Sequence, residues 1–248
     1  NGTWSVADSL TFQFDENFSS LKLQINPTAK IISGQELHTS SVVYSWVNQL
    51  IEGKESFVRS KTIGKTKLKR PFRVLDICKG SAKNKPVLVF LTRQHPPEVT
   101  GYFAFQAFLS TILEENKLTS SFLDHYRILA FPLMNPDGVD LGHWRHNAGG
   151  VDLNRDWSVY NQPEIEQTVC YINKTLKKNN SKLILGLDFH STFHDVFYTN
   201  VERDRTTLPN FISEWFNGIE DNIPGYKVNE DSANSDKPVS KGWFLYGH

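Results

Sequence analysis

Only two cysteines, Cys78 and Cys170, occur in 248 residues, too few for a disulfide framework. Cys78 ends the strand pattern Phe72 to Ile77 and Cys170 lies on a helical apolar face, so both read as buried thiols rather than ligands or nucleophiles. The chain has no run of 18 apolar residues, which removes a membrane-spanning helix, and no signal-peptide pattern at its start. Its first residue is Asn1 rather than Met, so an upstream segment is expected to have been removed. Formal net charge is zero and the sequence pI is about 7.2, a balance that disfavours nucleic acid as a partner. The basic stretch Lys61 to Arg70 reads as a solvated turn rather than a binding patch. Neither an internal repeat nor a low-complexity tract is present. Sequons at Asn1, Asn17, Asn173 and Asn179 are adequately explained by chance. These absences leave a soluble globular protein with no nucleic-acid or membrane partner, its oligomeric state open, in the cytoplasm or in a secreted or periplasmic compartment.

What the chain does contain is a βα alternation long enough for one α/β domain with a large core. Residues 1–37 read as a small N-terminal β extension, with strand-like alternation in Leu10 to Phe14 and Leu21 to Ile25. Residues 38–248 read as the main α/β domain. Its first helix begins near Ser41 and ends before Gly53, with Val43, Trp46, Val47 and Leu50 on one face. The runs Val87 to Leu91 and Leu183 to Phe189 are apolar like buried parallel strands, and Tyr126 to Phe131 makes a further strand. A helix follows Glu98. Another starts near Pro163, with Glu164 and Glu166 at its positive end, Lys177 and Lys178 at its negative end, and the stripe Ile165, Val169, Ile172 and Leu176 facing the sheet. Phe211 to Ile219 makes a further helix. The stretches Pro132 to Gln162 and Asp221 to Lys241 read as long loops, a length that functional loops over a site often have.

Three short motifs carry the chemistry: His95-Pro96-Pro97-Glu98, Gly150 to Trp157, and Leu187-Asp188-Phe189-His190-Ser191. H-x-x-E alone recurs by chance. Here it follows an apolar strand pattern, and His190 ends a second one, so both fall at strand carboxyl ends, where open α/β sheets bind ligands. Two imidazoles and a carboxylate supply three zinc ligands and leave the fourth position to a water, which is the arrangement of a catalytic rather than a structural site. Bound to zinc, such a water loses a proton near pH 7. Asp188, two residues before His190, shares its strand face and is a candidate to orient an imidazole. Asp152 either fixes Arg145 or Arg155 or serves a turn in the Gly-Gly-Val-Asp segment. His143 and His146 read as solvated loop histidines, and His194 as part of a chain re-entering a strand.

On these motifs the chain resembles the zinc metallocarboxypeptidase family, and Leu187 to Tyr198 with the early H-P-P-E is most similar to its cytosolic-type branch. Thr62 to Lys65 through Arg70-Pro71-Phe72, and Asn135-Pro136-Asp137-Gly138, extend the resemblance to roughly Ser41 through Tyr198. It implies an α/β fold with a mixed, largely parallel central sheet and helices on both faces. It further implies Zn2+ bound by His95, Glu98 and His190, Arg145 polarising the scissile carbonyl, and Asn154 with Arg155 holding the terminal carboxylate of a peptide or protein substrate. The residue chemistry agrees: a guanidinium offers a planar fork to a carboxylate, and a second Arg near the metal suits a developing oxyanion.

In this family a Glu well downstream of the third ligand acts as general base, and the spacing puts it beyond His248. The sequence is therefore read as a trimmed portion of a longer enzyme, with a zinc-retaining module that binds carboxylates without cleaving them as the non-enzyme alternative. A zinc amidohydrolase resembling succinylglutamate desuccinylase or aspartoacylase is the other enzyme class, since it also combines H-x-x-E, an N-R pair and a late His. Asn135 to Gly138 and Trp157 favour the peptidase.

Overall fold

The computed structural model of the chain describes residues 12–14, 16, 18–22, 32–201, 208–232 and 239–246. Two units make up the chain, Asn1–Leu37 and His38–His248. In the first, β1 (Phe12–Phe14) pairs antiparallel with β2 (Ser19–Leu21). The second strand thus ends where the apolar alternation of Leu21 to Ile25 begins; Leu10 and residues 23–25 lie outside the described residues.

The second unit opens with α1 (Ser40–Ile51), followed by β3 (Val58–Lys65), β4 (Pro71–Ile77), β5 (Val87–Thr92), α2 (Val99–Ile112), α3 (Lys117–His125) and β6 (Arg127–Phe131). Then come α4 (Pro136–Leu141), α5 (Pro163–Asn179), β7 (Leu183–Phe189), β8 (Phe197–Thr199), α6 (Phe211–Asn222), β9 (Glu230–Ser232) and α7 (Ser240–Tyr246). The central sheet has strand order β3-β4-β6-β5-β7. Its β5 pairs parallel with both β6 and β7, while β3, β4 and β6 are joined antiparallel, so the sheet is mixed. Because strand side chains alternate between faces, β5 feeds two cores. Leu88 and Phe90 join Val43, Val47, Tyr102 and Phe105 of α1 and α2, whereas Val87, Val89 and Leu91 join Ile165, Ile172 and Leu176 of α5. Helices therefore cover both faces.

Three local readings change. The β7 run reads as fully buried, yet all seven residues are half-buried, because among the described residues β7 has a strand partner on one side only, at the end of the strand order. Cys170 is exposed, since the α5 stripe that packs on the sheet turns it outward; Cys78 is partly buried. Neither long stretch is a bare loop: α4 and a short 3-10 turn at Leu153–Arg155 occupy the first, and β9 and the start of α7 the second. The basic stretch is β3 and its turn into β4, where Arg70 meets Asp137 at 2.9 Å and Asp140 at 2.8 Å. No helix among the described residues is long and apolar enough to cross a membrane.

Candidate active site

The site forms where β5 and β7, hydrogen-bonded in parallel, both end. Beyond Thr92 the chain turns through Arg93, whose φ of 58° lies in the left-handed region. Its guanidinium donates to the Pro96 carbonyl at 2.7 Å and so spans the turn that carries His95. Glu98 stands at the N-cap of α2, but its side chain caps nothing. Its two oxygens instead meet His95 Nδ1 at 2.8 Å and His190 Nδ1 at 2.7 Å. Helix and strand can come this close because residue 101 is glycine: a Cβ there would lie 2.3 Å from the His190 carbonyl oxygen.

The far nitrogens of both rings are also engaged. His95 Nε2 lies 2.9 Å from Asp152 Oδ1, and His190 Nε2 lies 2.9 Å from Asp188 Oδ2. A carboxylate on Nε2 holds the proton there, directs Nδ1 toward the cluster and makes the ring a better metal donor. Asp152 thus serves His95 as well as Arg145, whose Nε donates to Asp152 Oδ2 at 2.7 Å; Arg155 Nη1 stands 4.0 Å away. Asp152 also accepts from the Asn154 backbone N at 2.9 Å, and Asn154 Nδ2 lies 3.5 Å from His190 Nε2. One short turn therefore links the segment from Arg145 to Arg155 to both imidazoles. Arg145 and Arg155 keep 39% and 49% of their side chains exposed, open enough to meet a ligand.

The charges of the cluster reinforce one another. Burial works against a charged His190, but Asp188 and Glu98 beside it outweigh burial and raise its pKa to about 10. His95 is raised as well, its burial outweighed by hydrogen bonds to Asp152 and Glu98. Burial would raise the Glu98 pKa, yet the two imidazoles hold it down at about 2. Donor atoms of His95, Glu98 and His190 all lie within 4.8 Å of one another, and this group can hold a metal ion. Two imidazoles and one carboxylate match the three-ligand set of a catalytic zinc, so the residues fit the ion.

Other sequence candidates fall outside this group. His143 Nδ1 contacts the His146 carbonyl at 3.1 Å, and both residues line an open cavity of about 420 Å³ with Trp144 and Asn147. His194 is exposed, in the segment leading into β8. Sequence reasoning missed Gln94 and Ser240, both of which donate to Asp188 Oδ2. Gln94 adjoins His95 and could have been suspected from position alone. Ser240 comes from α7, fifty residues after His190, and carries no motif.

The chain is similar to known proteins in family and in fold. The family model described as zinc carboxypeptidase matches residues 43–184. The chain is 25% identical over 172 residues to cytosolic carboxypeptidase 3 of Mus musculus, covering 64% of this chain and 17% of that protein. It is 30% identical over 132 residues to cytosolic carboxypeptidase 6 of Mus musculus, covering 50% of this chain and 24% of that protein. Less than a quarter of the length of either relative is therefore spanned. In fold, the chain is similar to the metallo-carboxypeptidase from Burkholderia cenocepacia, with a TM-score of 0.70 at 15% identity, covering 85% of this chain and 57% of that one. More than half of the chain lies within the family match, including His95, Glu98, Arg145, Asn154 and Arg155. The chain belongs to the zinc carboxypeptidase family, which is zinc-dependent.

Proposed function

We propose that the chain carries the zinc centre and the terminal-carboxylate recognition of a metallocarboxypeptidase that removes the C-terminal residue of peptides or proteins. The observation that carries this reading is the convergence of His95 Nδ1 and His190 Nδ1 on the two oxygens of Glu98. His95, Glu98 and His190 would hold the ion. When bound, zinc supplies a water whose pKa falls to about 7 and a Lewis acid for the scissile carbonyl. Asp152 and Asp188 orient the two rings through Nε2. Arg145, held by Asp152 and partly open to solvent, stabilises negative charge on the carbonyl oxygen as it develops. Asn154 and Arg155 hold the substrate's terminal carboxylate, an amide donor beside a bidentate fork. This reading assigns the role of general base to none of the described carboxylates. Among the described carboxylates, Asp152 and Asp188 already accept from the imidazoles, and Glu230 lies exposed on β9.

The family match and the relatives reported above are carboxypeptidases by description, and they do not favour the amidohydrolase or binding-module readings. Cytosolic relatives support a cytoplasmic place of action. The test is binding of a peptide with a free C-terminus against the same peptide as an amide, in the zinc-loaded chain. The free peptide is expected to bind at least tenfold more tightly, and Arg155→Lys to remove most of that difference, because a point ammonium cannot reproduce the planar fork; tenfold is about 1.4 kcal/mol. Equal binding of the two peptides would overturn the reading.

A further inference from the structure

Gln94 is completely buried one residue before His95, and each polar end of its side chain has a partner of fixed character. Its Oε1 accepts from Trp157 Nε1 at 2.9 Å, and its Nε2 donates to Asp188 Oδ2. Its carbonyl accepts from Asn135 Nδ2 at 3.1 Å, which ties the backbone at Gln94 to the N-cap of α4. An indole N–H can only donate, and it leaves the amide one orientation: reversal would set the Gln94 NH2 against the Trp157 N–H and Oε1 against Asp188. With Gln94 and Ser240 both donating to Asp188 Oδ2, that oxygen acts as an acceptor alone, and it lies 2.9 Å from His190 Nε2. His190 must then present Nε2 with its proton to Asp188, and its Nδ1 is the nitrogen left facing Glu98.

We propose that Trp157, Gln94 and Asp188 form a directional hydrogen-bond relay that sets the tautomer and ring orientation of His190, with Trp157 and Gln94 as positioning residues for the third metal ligand. This rests on the reading that His190 holds zinc. The two imidazoles are then oriented by different means. His95 depends on Asp152, which is tied to the half-exposed cation Arg145. His190 depends on Asp188, whose carboxylate is held by the neutral partners Gln94 and Trp157 on the core side, where Trp157 packs against Trp243 at a ring separation of 5.3 Å. Outer partners of metal-bound imidazoles typically contribute about 10- to 100-fold in metal affinity.

The experiment measures zinc affinity by chelator competition and follows the His190 Nε2–H by 15N-resolved NMR of the zinc-loaded chain. Gln94→Met removes the donor to Asp188 at similar volume and is expected to weaken zinc about tenfold, with faster solvent exchange of that N–H. Trp157→Phe removes the donor-only N–H and is expected to shift both readouts in the same direction by a smaller amount. It carries the test independently should Gln94→Met fail to fold. Val169→Ala, on the buried stripe of α5, serves as the control: it is expected to lower the melting temperature and leave both readouts unchanged. Wild-type zinc affinity and an unaltered His190 N–H in both relay variants would overturn the proposal, as would an equal loss in Val169→Ala. Failure of the wild-type chain to take up zinc would instead overturn the underlying metal assignment.

Discussion

Ser191 caps helix α2 for Glu98: its Oγ accepts from the Gly101 backbone N at 2.8 Å. Helix N-termini leave their first N–H groups without intrahelical partners, and the N-cap side chain ordinarily takes one. Glu98 occupies the N-cap but is turned to the two imidazoles, so an oxygen from the end of β7 fills its place, steadied by Thr100 Oγ1 at 2.6 Å. The residue after His190 thereby anchors the helix that starts at Glu98. Ser191→Ala is expected to lower stability by about 1 kcal/mol, the usual loss of a cap. Chemical denaturation of the zinc-free chain measures it, and a change within error of zero would mean that this cap contributes nothing.

Gly101→Ala separates two opposing effects. In a helix interior Ala is favoured over Gly by about 1 kcal/mol. Here the new Cβ would stand 2.3 Å from the His190 carbonyl oxygen and 2.6 Å from its carbon, so α2 or the end of β7 has to move. Overpacking of this kind costs about 1–3 kcal/mol, so the clash is expected to win and the variant to melt lower than wild type. A higher melting temperature would show that the close approach is not required.

Metal content tests the ligand assignment directly. About one zinc ion per chain is expected after dialysis against zinc-containing buffer. His95→Ala and His190→Ala should each abolish stoichiometric binding, whereas His146→Ala, in the Trp144 cavity and outside the cluster, should retain it. Full zinc in both ligand variants, by atomic absorption, would remove these residues from the site.

Proton linkage gives the zinc-free and zinc-loaded chains opposite responses to pH. In the zinc-free chain the raised His190 contributes stability that is complete below its ordinary value of 6.5 and is lost as pH rises through about 10. Zinc needs neutral imidazoles, so binding near pH 7 must expel protons from them and strengthen as pH rises. Melting curves from pH 6 to about 9.5 should show the zinc-free form losing stability while the increment from zinc grows. Calorimetry in buffers of different ionisation enthalpy should register proton release, and a buffer-independent heat would contradict the charge state assigned to the pair.

Much of this protein could be read from residue order alone. Helix α5 announces itself through Pro163, its acidic first turn, the stripe from Ile165 to Leu176 and its two terminal lysines, all signals local to seventeen residues. The apolar run Val87 to Leu91 marks β5 for the same reason, and the cluster of His95, Glu98 and His190 is visible because residue type and strand context coincide in short motifs. What sequence could not supply is any relation between distant side chains. Whether Asp152 serves an arginine or a histidine depends on how the turn after Gly150 docks against β5, and it serves both. Ser191 looks like a mere neighbour of His190 until α2 is placed beside it. Gln94 looks like a mere polar residue until Trp157, 63 positions away, meets its carbonyl end. Hydrogen bonds of this sort have angstrom tolerances and no periodicity, so only the packing of β5, β7 and the intervening loop decides them.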